Sequence, residues 1–95
     1  MIVIDECVSP HVAPAQRDHV QLEWQRPHRV LDRARPVAWI CFCRATVYEL
    51  REGGGRAFIR RTVQLDSKHE IHETSLLPIN EARVIWTALL SGRAR

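Results

Sequence analysis

Between Pro36 and Arg44 the chain runs Val-Ala-Trp-Ile-Cys-Phe-Cys without one polar side chain. The run is far shorter than the eighteen or so apolar residues of a membrane span. Its β-branched, aromatic and cysteine content favours an extended conformation, and the lack of alternation predicts a strand buried on both faces. Whatever this chain folds into must therefore supply neighbours on two sides of residues 37–43.

The residues that follow supply one side. Val47 to Arg51 reads as a second strand or a continuation of the first, and Glu52-Gly53-Gly54-Gly55 as a turn, because glycine accepts positive φ. Arg56 to Gln64 resumes as a strand, with Ala57, Ile59 and Val63 alternating against Phe58, Arg60 and Thr62. Leu65 to Lys68 is a polar turn, and His69 to Ser75 an edge-like strand. From about Pro78, Ala82, Ile85, Trp86, Leu89 and Leu90 fall on one face of a 3.6-residue helix. Pro78 suits its first turn, Gly92 its C′ position, and Arg93 and Arg95 the negative end of its dipole.

The predicted architecture is α+β. An antiparallel meander of three to four strands over about 37–75 precedes one amphipathic helix over about 78–91, packed on the sheet. A single helix covers one face of the 37–43 strand. Cover for the other falls to the N-terminal half, through Trp24, or to a second copy of the chain. Residues 1–36 hold four of the five prolines and read as an arm or irregular wrap, with short strands at Met1–Ile4 and around Val20-Leu22-Trp24. Residues 37–95 form the single compact domain.

The chain has 95 residues, a formal charge of +3, and Lys68 as its single lysine. That charge is modest for a dedicated nucleic-acid domain. Three cysteines (Cys7, Cys41, Cys43) and acids at Asp5 and Glu6 fit neither a disulfide framework nor a signal peptide, which points to the cytoplasm.

No motif in the chain fixes a function. Cys41 and Cys43 with His69 and His72 nominally offer a zinc set, but an apolar strand makes both thiols small hydrophobes, and His69 and His72 would point to opposite faces. His69-Glu70-Ile71-His72 is one residue short of the helical zinc-protease spacing. The carboxylates form no acid–base cluster, and Glu70 and Glu73 are expected to pair across strands with Arg60 and Arg61. Neither a catalytic residue nor a metal or cofactor site is expected.

The piece Gly55-Arg56-Ala57-Phe58-Ile59 resembles the core of an RNA-recognition-motif strand, although Arg56 and Arg61 stand where that family has aromatics. The element order, a meander and then one helix, is similar to whirly-type single-stranded-DNA-binding domains, which pair as dimers. That resemblance implies a basic-aromatic sheet face from Arg51, Arg56, Phe58, Arg60 and Arg61, with Tyr48 close by. The two-sided apolar strand, small size and missing catalytic cluster point instead to a non-catalytic protein-interaction module, a homodimer or the binder of another protein. That is the leading expectation. Single-stranded nucleic-acid binding is the alternative, an enzyme ranks third, and no membrane partner is expected.

Overall fold

The computed structural model describes residues 12–27, 34–40 and 45–95. Strands β1 (Arg35–Trp39), β2 (Thr46–Gly53), β3 (Arg56–Gln64) and β4 (His69–Glu73) form an antiparallel meander in that spatial order. A two-residue strand, β5 (Leu77–Pro78), pairs with the start of β3 and leads directly into helix α1 (Ile79–Leu90). The helix packs on one face of the sheet, against β2 and β3. The fold is α+β.

Local chemistry accounts for each corner. Gly53 and Arg56 close the β2–β3 hairpin, and the two residues between them, Gly54 and Gly55, have φ of 60° and 76°. A two-residue hairpin loop whose twist matches its strands demands positive φ at both positions, which glycine adopts without strain. The β3–β4 turn is closed by Leu65 N–H donating to Lys68 O. Where β4 ends, Thr74 keeps the ladder going. Its N–H donates to Ile59 O, while its hydroxyl accepts from Ile59 N–H. The side chain thus replaces the backbone acceptor lost at the break between β4 and β5.

Helix α1 buries Ala82, Trp86 and Leu89, spaced four and three residues apart, against Ile40, Tyr48, Leu50, Ala57 and Ile59. Ile85 and Leu90 flank that stripe and are half-buried. Pro78 occupies the N-cap with an extended backbone, and Glu81 places a carboxylate in the first turn, where the helix dipole favours it. At the other end Gly92 N–H donates to Leu89 O and Arg93 N–H to Ala88 O, with Gly92 at φ 82°. This is the paired hydrogen-bond pattern that closes a helix on a left-handed glycine. The cation that meets the helix end is Arg95, whose Nη1 donates to Leu89 O.

Residues 12–25 cross the C-terminal end of the helix and run beside the chain end. Ala13 N–H donates to Leu90 O, Gln16 N–H to Gly92 O, Val20 N–H to Arg93 O and Leu22 N–H to Arg95 O. Gln25 then exchanges both backbone hydrogen bonds with Glu73 of β4. Leu22 and Trp24 turn inward and Gln21 and Glu23 outward, so this stretch alternates like a strand while forming only isolated bridges at Val20 and Gln25.

Several sequence expectations need correction. The first strand is Arg35–Trp39 rather than 37–43; Ile40 is buried beyond its end, and Cys41, Phe42 and Cys43 lie outside the described residues, as do Cys7 and the Met1–Ile4 segment. That strand is not buried on both faces, because Val37 and Trp39 are each 45% exposed. The reason is position: among the described strands β1 stands at the end of the sheet. The 47–51 segment is a separate strand antiparallel to β1, not its continuation. Of the two expected ion pairs, Arg60 with Glu73 forms, while Arg61 stands opposite His72 and Glu70 opposite Val63.

Candidate interaction surface

The strand β1 is pinned from one side. Its register on β2 sets Pro36 opposite Arg51 and Ala38 opposite Leu50, leaving Val37 as an extra residue in a bulge. Ala34 is buried against the hairpin, and a Cβ added at Gly53 would stand 3.1 Å from Ala34 Cα. A side chain at Gly53 would thus press on Ala34, so glycine suits this close approach. Arg51 Nη2 donates to Ala34 O at 2.7 Å, and Arg51 Nη1 pairs with Glu49 at 3.0 Å. These contacts hold the strand in place while four of its five side chains, Arg35, Pro36, Val37 and Trp39, stay exposed.

Pro36 and the bulge decide how such a strand can meet a partner. Proline offers no N–H, and a bulge breaks the even spacing a neighbouring strand would need; both are devices that blunt sheet edges. What β1 does offer is side-chain surface. A tryptophan buries roughly 150–250 Å² in full, so covering the open half of Trp39 is worth about 2–3 kcal/mol at about 25 cal/mol/Å². The freedom lost on association costs about 4–15 kcal/mol. Trp39 therefore serves as an anchor within a wider contact, not as a complete interface.

Of the five residues expected to form a basic-aromatic sheet face, the register sets Arg51, Arg56, Phe58 and Arg60 on one face of the β2–β3 pair and Arg61 on the other. Arg51 and Phe58 are register partners, as are Glu49 and Arg60. Phe58 is only 1% exposed. Arg60 Nε donates to the fully buried carboxylate of Glu73 at 2.6 Å, and Arg51 is taken up by Glu49 and Ala34 O. Arg56 stands exposed at the hairpin, opposite Gly53 and Pro78.

Arg61 belongs to the helix-bearing face. It is the register partner of Tyr48, and its guanidinium lies 4.4 Å from the centre of the Trp24 ring, which is itself 6.0 Å from the Tyr48 ring. Stacking on an aromatic face is worth about 0.5–1 kcal/mol at a partly open site. The sequence offered no sign of this stack, because residues 24, 48 and 61 meet only through the chain's return across the sheet.

Among the described residues no group of three or more His, Cys, Asp or Glu could hold a metal ion. Among them, too, no helix is long and apolar enough to cross a membrane. Arg51 Nε, Arg61 Nε and His72 Nδ1 are buried without a hydrogen-bond partner among the described residues; Arg61 and His72 are register partners, and Arg51 lies on the opposite face of the sheet. No protein-family model, curated protein or solved structure matches the chain.

Proposed function

We propose that this chain is a non-catalytic protein-interaction module that self-associates through a surface centred on Trp39. The observation that carries the reading is the half-exposed Trp39 beside Val37 on a strand that is otherwise firmly held. A rigid aromatic on a pinned backbone loses little further conformational entropy when a partner covers it, which is what makes tryptophan a frequent anchor at interfaces. The blunted edge favours packing by side chains over the addition of a strand.

Sedimentation equilibrium tests this directly. The unsubstituted protein is expected to associate at micromolar concentrations, and Trp39→Ser to weaken that association about tenfold or more while the variant stays folded. Half of the Trp39 surface, at about 25 cal/mol/Å², corresponds to at least that factor. A protein that stays monomeric at high concentration, with Trp39 freely quenched by iodide, would defeat the reading.

The nucleic-acid alternative has Arg56 and part of Arg60 to offer on the surface. The ring expected beside them, Phe58, is buried, and the open ring on the Arg60 face is Trp39, across Glu49. Titration with single-stranded oligonucleotides at low and moderate salt separates the two: a steep salt slope that shrinks in Arg60→Ala would favour it.

A further inference from the structure

We propose that the cleft between the Val12–Pro14 segment, the Ala45–Tyr48 end of β2 and Arg95 binds a small organic anion, a carboxylate carried on an apolar body. The cleft has a volume of about 450 Å³ and is lined by Val12, Ala13, Pro14, Ala45, Thr46, Tyr48 and Arg95. It is largely open to solvent, and its lining joins apolar side chains to a few polar groups.

Among the described residues Arg95 is the only charged side chain in the lining. Its guanidinium donates to Leu89 O and Ala94 O through Nη1 and to Ala13 O through Nη2. A guanidinium has five N–H bonds, so Nε–H and one Nη2–H are left over. All three acceptors are neutral carbonyls, and no carboxylate among the described residues pairs with Arg95. The guanidinium is held in place by neutral acceptors. Thr46 and Tyr48 add two hydroxyls that make no hydrogen bond among the described residues. Donors of this type, beside a guanidinium, select a carboxylate over a neutral group of the same shape.

The apolar share of the lining comes from Val12, Ala13, Pro14 and Ala45. It sets a preference for an anion with a hydrocarbon body over a bare inorganic one.

The walls are fixed before any ligand arrives. Ala13 is held from both sides, its N–H by Leu90 O and its carbonyl by Arg95. Pro14 lies so close to Gly92 that a Cβ there would run into the Pro14 carbonyl oxygen. The Arg95 carbonyl is occupied by Leu22 N–H and Trp24 Nε1–H. Such preorganisation lowers the entropic cost of binding. No residue of β1 takes part, so this site stands independently of the Trp39 surface.

The test is a titration of the full chain with sodium benzoate. Trp24 emission is the signal, because its ring lies 6.0 Å from the Tyr48 ring, and NMR shifts of Thr46, Tyr48 and Arg95 locate the site. Benzyl alcohol serves as the neutral analogue and inorganic phosphate as the anion without a body. Benzoate is expected to saturate and to bind about tenfold more tightly than either control, as a charge-assisted hydrogen bond implies. Tyr48→Phe and Thr46→Val, which keep the shape of the lining, should each weaken benzoate several-fold with no change in unfolding midpoint. Three results would overturn the proposal: benzoate no tighter than benzyl alcohol, phosphate as tight as benzoate, or equal binding in both variants. If either variant fails to fold, the shift map on the unsubstituted protein decides between site and no site.

Discussion

Strands β1 and β3 lie in one sheet yet meet water very differently. In β3 the consecutive residues Ala57, Phe58 and Ile59 are all buried, although the strand carries Arg56, Arg60 and Arg61 around them. In β1 the segment Arg35–Trp39 opens the most apolar run of the sequence and is largely exposed. Hydrophobicity alone would rank them the other way. Burial follows from the number of neighbours: β3 is flanked by β2 on one side and by β4 and β5 on the other, whereas β1 is the last of the described strands. An apolar central strand is stability, and an apolar end strand is surface.

The sharpest way to probe that contrast is to truncate one side chain in each strand. Ile59→Ala removes a fully buried side chain between β2 and α1, and denaturant unfolding should show a loss of about 2–4 kcal/mol. A smaller effect is expected at the helix end. Gly92→Ala meets both an unfavourable φ and the Pro14 carbonyl, so about 1–3 kcal/mol should be lost. Hydrogen exchange should then speed up at Ala13 and Gln16 first, since their amides are bonded to Leu90 and Gly92. The smallest effect on stability belongs to β1. Trp39→Ser gives up the already covered half of the ring, so about 1–2 kcal/mol should be lost from the unfolding free energy, while association suffers as described above. A Trp39→Ser variant as unstable as Ile59→Ala would erase the distinction between the two strands.

Much of the fold was legible because it rests on local chemistry. The glycines at 53–55 gave the hairpin, and Arg56–Gln64 was read at its actual bounds. The periodicity of Ala82, Trp86 and Leu89 gave the helix, and Gly92 its end. The candidate surfaces were much less legible. Phe58, Arg60 and Arg61 are adjacent in sequence, but alternation sends Arg61 to the helix side, and Glu73 takes up Arg60. β5 could not be anticipated, because Leu77–Pro78 pairs only where the break at Thr74 brings it back to Ala57.

By itself the sequence determined the order and type of the main elements, since turns, caps and helical periodicity act over a few residues. Which strand stands at the end of the sheet, which apolar side chains stay open, and how Arg95 closes over Ala13 were decided only by tertiary structure. Those features depend on contacts between residues as much as 82 positions apart, and no local propensity encodes a contact of that range.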